Sequence, residues 1–390
     1  MDIKESPSGK IVKTSKGYYA FVPHPQPAHF EWDNTLIYNL SRTSYVLGML
    51  SREGSKLPNP HLLIRPFIMR EAVLSSKIEG TQATLGEILA NEAGIHVDRN
   101  PDDLQEVQNY IDALDYGLKR LQKFPLSLRL IREIHQILMQ GVRGSHATPG
   151  EFRYTQNWIG PQGCTLNTAK YVPPNPEELT ECLNQFEIFL HDRSLPPLIH
   201  IALSHYQFEA IHPFIDGNGR MGRLLNVLLL IERKVLPSPI LYLSAFFEAT
   251  RDEYYTQLYN VSSKGTWHEW LSYFLNGVFA QSIDVLSRAQ RINSLIIDWQ
   301  IELGSGGGKA VQDIIRHLAV NPYFTTTNAA ERLNIAFTTA QRAIGKLEAA
   351  GIIAQTSERK RDRIYCATQI LGILEEPTKI KEKIEDFPLS

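Results

Sequence analysis

Apolar residues recur at three- and four-residue spacing over 32–50, 65–80 and 104–123, which predicts amphipathic helices in all three stretches. IREIHQILMQGV, 131–142, reads as another. The texture changes at GEFRYTQNWIGPQGCTLNTAKYVPPNP, where β-formers flank a Gly- and Pro-containing turn and a Pro-Pro stop, so a short hairpin is expected over 157–172. Helices resume over 177–191, 198–211 and 220–234. The last is apolar on nearly every face, which puts it at the centre of a bundle. Two more are expected near 244–259 and 267–303. Residues 1–30, rich in Pro, Gly, Ser and Lys with one strand-like piece at 18–22, read as an irregular arm laid on the first domain.

GSGGGKA, 304–310, falls short of a phosphate loop. That motif needs GxxxxGK followed by Ser or Thr, whereas Gly304 and Gly308 are one residue too close and Ala310 follows Lys309. A flexible linker fits better. Beyond it, AVQDIIRHLAV, NAAERLNI and FTTAQRAIGKLEAAGI read as three helices, and β-like segments at 352–356 and 363–366 flank SERKRD. This is the texture of a small winged helix-turn-helix domain with a basic wing of Arg359, Lys360, Arg361 and Arg363. Its helix from Thr338 would offer Thr338, Thr339, Gln341, Arg342 and Lys346 to a major groove. Glu331, Glu348, Glu358 and the tail EEPTKIKEKIEDF weigh against DNA, and a protein-docking or dimerising module stands beside DNA binding as the alternative.

Composition narrows the class without naming it. The 390 residues exceed one typical core and suggest two or three domains, with 43% hydrophobic residues to fill them. A net charge of −2 gives no global pull toward nucleic acid or an anionic membrane. Cys164, Cys182 and Cys366 are few and far apart, which reads as reduced thiols rather than a disulfide scaffold. The first residues carry no apolar signal core, and the longest apolar run, 224–231, is too short to span a bilayer and is interrupted by Asn226. A cytoplasmic location and no membrane partner are expected.

Between two apolar helices lies HPFIDGNGRMGR, 212–223. Pro213 ends the preceding helix, and Gly217, Asn218 and Gly219 are residue types that accept positive φ, so successive N–H groups can converge on one point. The next helix adds its unpaired first-turn amides and positive dipole end, and Arg220 and Arg223, three apart on one face, suit a polyphosphate. Asp216 beside such a nest makes sense as the ligand of a hard divalent cation such as Mg2+. His212 is the side chain able to accept a proton near neutral pH, and Phe214 would anchor the loop. Histidine, any, phenylalanine, any, acidic, Gly-Asn-Gly-Arg, any two, Arg is the Fic family pattern, which this loop resembles at every specified position.

The resemblance extends over about residues 30–290. It implies a mainly α, Fic-type helical bundle with a short β-hairpin flap, followed by the winged-helix domain, and a nucleotidyltransferase that moves AMP from ATP to a Ser, Thr or Tyr hydroxyl of a protein. By that resemblance His212 deprotonates the hydroxyl, and Asp216 holds Mg2+ on the α and β phosphates. Gly217, Asn218 and Gly219 cradle those phosphates, and Arg220 and Arg223 hold the β and γ positions. The 157–172 flap would pair with a target segment as an added strand.

A second stretch, SSKIEGTQAT, sets Ser75 and Glu79 before Gly80, where a carboxylate meets the unfavourable end of a helix dipole and needs a partner. In Fic proteins Ser/Thr-xxx-Glu-Gly/Asn marks an inhibitory helix whose glutamate pairs with the second loop arginine, here Arg223, and blocks the γ-phosphate. The resemblance therefore implies a self-inhibited enzyme. It leaves open a bifunctional transferase and AMP-removing enzyme, and the competing class is a DNA-binding regulator whose Fic core senses nucleotide. Tyr242, Tyr254 and Tyr255 resemble the family's adenine-side texture, but Thr250 stands where many relatives carry Asn. His135, His200 and His205 lack metal-ligand spacing. ATP, a protein target, self-modification and a homodimer are the expected partners. The expected divisions are 1–100 with the inhibitory helix, 101–290 as catalytic core, 291–309 as helix end and linker, 310–375 as winged helix and 376–390 as charged tail.

Overall fold

The computed structural model describes residues 3, 5–56, 60–142, 148–161, 163–304, 308–356 and 363–378. The arm carries β1 (Gly9–Lys13) and β2 (Tyr19–Pro23), followed by α1 (Asn34–Lys56), α2 (Pro60–Ile78), α3 (Leu85–Glu92), α4 (Pro101–Leu121) and α5 (Leu128–Leu138). Next come α6 (Pro176–His191), α7 (Pro197–Ile211), α8 (Asn218–Glu232), α9 (Ser244–Ala249), α10 (Arg251–Lys264) and α11 (Trp267–Leu303). The C-terminal unit runs α12 (Gly308–Leu318), β3 (Tyr323–Thr325), α13 (Thr326–Leu333), α14 (Phe337–Ala349), β4 (Ala354–Gln355), β5 (Ile364–Cys366) and α15 (Thr368–Glu375).

The molecule is mostly helical, as the periodicity requires. Apolar positions on α7 and α8 point in every direction and both helices are buried along almost their whole length, so they form the centre of the bundle. Helices α1 and α11 pack along each other at its side, α4 lies on α5, and α2 lies on α4 and α9. One continuous apolar core runs from Leu36 to Leu374. It includes the C-terminal unit, so the expected separate domain is joined to the bundle by packing. Helix α11 runs unbroken through residue 290, where a boundary was expected. The linker residues 305–307 and wing residues 357–362, with Arg359, Lys360 and Arg361, lie outside the described residues.

Four local expectations differ. The arm is not irregular: β1 and β2 pair antiparallel from Gly9–Pro23 to Lys13–Tyr19, turned at Gly17 with φ 86°. The 157–172 hairpin reduces to one bridge, Ile159 with Tyr171. Its chain is spent instead on local turns, with Trp158 Nε1 donating to the Cys164 carbonyl at 3.1 Å and Cys164 N to the Pro161 carbonyl at 3.0 Å. The stretch 244–259 is two helices, broken at Thr250, whose hydroxyl bonds the Phe246 carbonyl and the Tyr273 hydroxyl at 2.7 Å each. Helix α3 was not anticipated, although a capping box of Thr84 and Glu87 opens it.

Candidate functional site

The 212–223 loop is shaped before any ligand reaches it. His212 closes α7 in the left-handed region at φ 50°, and Gly217 opens α8 at φ 76°. A side chain at Gly217 would meet Met139 Sδ at 2.6 Å and His135 Nε2 at 3.1 Å, so this position needs glycine for both space and φ. Asn218 clasps the loop: its Oδ1 accepts from Phe214 N and its Nδ2 donates to the Phe214 carbonyl, both at 2.8 Å. The clasp commits Oδ1 and one Nδ2 hydrogen to the loop's own backbone. The amides of residues 218–220 precede the first helical bond, Met221 N to the Gly217 carbonyl at 3.0 Å, and face outward as an anion nest.

Three residues that sequence reading gave no role hold this loop in place. His135 lies flat under Phe214, 3.6 Å between ring centroids, and bonds the Asp216 carbonyl at 2.9 Å while accepting from Gly150 N at 3.0 Å. Burial lowers its pKa to about 4, which keeps it the neutral tautomer these bonds require. Buried Arg153 donates to the carbonyls of His212 at 2.9 Å and Pro174 at 2.5 Å, and Asn157 Nδ2 donates to the carbonyls of His212 and Phe214 at 3.2 and 2.8 Å. No sequence motif marks these residues, because what they satisfy is backbone made orphan by the loop's own shape.

His212, Glu79, the loop glycines, Arg220, Arg223 and Tyr255 meet at one cleft of about 920 Å3. Burial lowers the His212 pKa to about 4. Arg223, 1% exposed at its side chain, donates through Nε to Ser75 Oγ at 2.9 Å, and through one terminal nitrogen to the Ser75 carbonyl at 2.9 Å and Glu79 Oε1 at 2.6 Å. Glu79 stands just past α2, and a side chain at Gly219 would lie 2.3 Å from its Oε1, so the carboxylate rests against the nest itself. Burial pushes that carboxyl up, but the charge and hydrogen bond of Arg223 more than reverse this and hold it below the usual carboxylate range. Arg220 is buried, touches Met139 Sδ at 3.3 Å and lies 3.9 Å from Glu106, with Nε and one terminal nitrogen lacking hydrogen-bond partners. Thr81 bonds the same Glu106 at 2.5 Å. Residues 79–81 therefore touch both arginine systems.

Of Tyr242, Tyr254 and Tyr255, the latter two line the cleft, Tyr255 part-exposed. Tyr254 is buried and bonds His205 at 2.8 Å, and Tyr242 bonds the Pro239 carbonyl at 2.5 Å away from the cleft. His200 and His205 are core histidines, each bonded to a backbone carbonyl. Asp216 is exposed at the lip, with Oδ1 accepting from Gly217 N at 2.6 Å. Among the described residues no three His, Cys, Asp or Glu side chains gather as a metal cluster.

Residues 37–119 match the family model described as Fic/DOC family N-terminal, and residues 125–230 match that of the Fic/DOC family. A protein adenylyltransferase Fic of Drosophila grimshawi is 36% identical over 163 residues, which are 39% of this chain and 31% of that protein. Its counterpart in Drosophila virilis is 35% identical over the same share of each chain. The matched stretch thus spans under a third of these relatives' length. A Fic family protein from Desulfovibrio desulfuricans G20 superposes with a TM-score of 0.57 at 19% identity, over 87% of this chain and 97% of that one. Fic-1 from C. elegans does so at 0.51 and 21%, over 66% and 74%. The loop and both family models agree on what these regions are: residues 37–119 form a Fic/DOC family N-terminal region and residues 125–230 a Fic/DOC family domain, and the helical core around them has the fold of the solved Fic proteins.

Proposed function

We propose that this protein is a self-inhibited protein adenylyltransferase that moves AMP from ATP to a Ser, Thr or Tyr hydroxyl of a protein. The observation that carries the reading is the meeting, in one cleft, of a neutral imidazole, an amide nest and two buried arginines. With a pKa near 4, His212 is unprotonated at neutral pH and ready to accept a proton. The target hydroxyl gives its proton to His212 as its oxygen bonds the α-phosphorus, the bond from that phosphorus to the bridging oxygen breaks, and pyrophosphate leaves. Amides of residues 218–220 and the half-unpartnered Arg220 hold the phosphates, and Arg223 holds the terminal one.

A single exposed carboxylate at the edge of an anion nest fits Mg2+, which usually takes one carboxylate with phosphates and water. Asp216 would hold it. When bound, Mg2+ neutralises the charge that develops on the phosphates. Glu79 is the brake, since it occupies Arg223 and rests against Gly219, where the terminal phosphate would seat. Segment 157–172, with Trp158 and Ile159 part-exposed along the cleft, would receive the target chain. The C-terminal unit would recruit partners, with Thr338, Thr339, Gln341 and Arg342 exposed along α14.

Incorporation of AMP from α-labelled ATP with Mg2+ tests this in wild type, Glu79→Gly and Glu79→Gly/His212→Ala. Strong labelling only in Glu79→Gly is expected. Absence of labelling in all three, with ATP bound, would sink the transferase.

A further inference from the structure

We propose that Glu209 is a positioning residue for the acid–base step: its carboxylate, one helical turn ahead of His212, offsets the positive charge that the imidazole acquires on accepting the hydroxyl proton. This rests on the transferase reading above. Both halves of Glu209 face the same ring nitrogen, with its carbonyl 3.3 Å and its Oε2 4.0 Å from His212 Nδ1. The carbonyl can only accept, so Nδ1 carries the hydrogen and the lone pair is left on Nε2. That is the arrangement of a base oriented by a third group.

The surroundings are built for this carboxyl. Gly222 on α8 has no side chain, and a Cβ there would lie 2.4 Å from Glu209 Oε1. Oε1 itself is buried with no hydrogen-bond partner, which is costly for a polar atom. The chemistry supplies a reason to keep it. Burial leaves His212 a weak base, with a pKa of about 4, whereas a general base works best when its conjugate acid lies near the working pH. A carboxylate beside Nδ1 moves the imidazole in that direction, and at 4.0 Å in a buried site it acts through charge.

Several charged or titratable groups bear on the pair. Arg223 comes from α8, Glu79 from the segment after α2, Tyr254 and Tyr255 from α10, and Arg153 lies beneath His212. Burial pushes the Glu209 carboxyl up to about 7, Arg223 pulls it down and Glu79 pushes it further up. Displacing Glu79 removes the like charge that disfavours ionised Glu209 and also removes a carboxylate that itself raises the His212 imidazole, so with the brake released Glu209 is the group left to supply that charge.

The test compares Glu79→Gly with Glu79→Gly/Glu209→Gln, measuring AMP incorporation from pH 5 to 8.5 and the KM for ATP, together with 15N titration of the His212 imidazole. In the parent, which lacks the Glu79 charge that pushes the Glu209 carboxyl up, the rate should rise with pH and level off by about pH 7. The Gln variant should be slower by about tenfold or more, with KM within about twofold and that rise lost. Its His212 should be protonated less at any given pH. An unchanged pH profile with an unshifted imidazole overturns the proposal, whether the rate is kept or falls through a raised KM, because Glu209 then serves only Arg223 or the fold. Should Glu79→Gly itself not label, the transferase reading fails separately. The imidazole titration still decides the coupling: a downward shift upholds it and no shift ends it.

Discussion

Arg223 is a buried cation held by Ser75 through two hydrogen bonds and by Glu79 through a third. Breaking a buried pair from one side leaves an uncompensated charge, which typically costs about 3–5 kcal/mol. Here the cost is smaller, because the Glu79 side chain is 36% exposed and Ser75 stays in place; about 2 kcal/mol is expected for Glu79→Gly at pH 7. The Glu79 carboxyl is depressed in the folded state, so the pair's contribution is present above the ordinary glutamate value and lost as pH falls through the lower folded one. Denaturant unfolding of wild type and Glu79→Gly should show the difference at pH 7 and progressively less of it as pH falls below the ordinary glutamate value. At this scale much was legible. The loop pattern picked out His212, Asp216, Arg220 and Arg223, and a carboxylate at a helix C-terminus announced that Glu79 needed a partner. What stayed hidden was Glu209, since a glutamate inside an apolar helix has no local signature until its neighbours are known.

Among elements, the 212–223 loop shows how a short segment is fixed from three sides: by its own Asn218, by His135 of α5, and by Arg153 with Asn157. Asn218→Ala removes two hydrogen bonds and leaves the Phe214 amide without that partner, at a cost of about 2 kcal/mol. Thermal unfolding would measure it, and ATP affinity should fall as well because the nest loses its shape; a variant as stable as wild type would mean the clasp is incidental. Long helices were readable because their apolar stripes repeat. The flap at 157–172 was not, because β-formers also suit extended loops, and only the single Ile159–Tyr171 bridge forms once Trp158 and residues 161–168 make local hydrogen bonds. Helix α3 was missed because eight residues give too short a periodic signal, although its capping box was visible.

For the whole molecule, the C-terminal unit is fastened to the helix that leads into Glu79. Arg288 of α11, 2% exposed, pairs with Asp284 and donates to the Ile373 and Glu376 carbonyls, Arg291 pairs with Glu376, and Arg70 of α2 bonds Thr378 at 3.0 Å. Glu375 accepts from Gly86 N of α3 at 2.9 Å, and Asn321 donates to the Leu89 carbonyl at 2.9 Å. Arg288→Ala takes this donor from the Ile373 carbonyl, while Arg70 still reaches Asp284 at 3.6 Å and the Glu376 carbonyl at 3.4 Å, so a loss of about 2 kcal/mol is expected. Hydrogen exchange should show α15 amides released first, and equal protection in variant and wild type would contradict this clamp. By itself the sequence determined the helical class, most helix positions, and the chemical character of the loop, all of which follow from periodicity and residue type within a few positions. The meeting of Glu79 with Arg223, at 2.6 Å, is the one the family resemblance implied; only the tertiary structure decided that His135 and Arg153 serve backbone and that the C-terminal unit shares the core. Those outcomes depend on which buried polar groups from distant segments satisfy one another, and no local pattern encodes that.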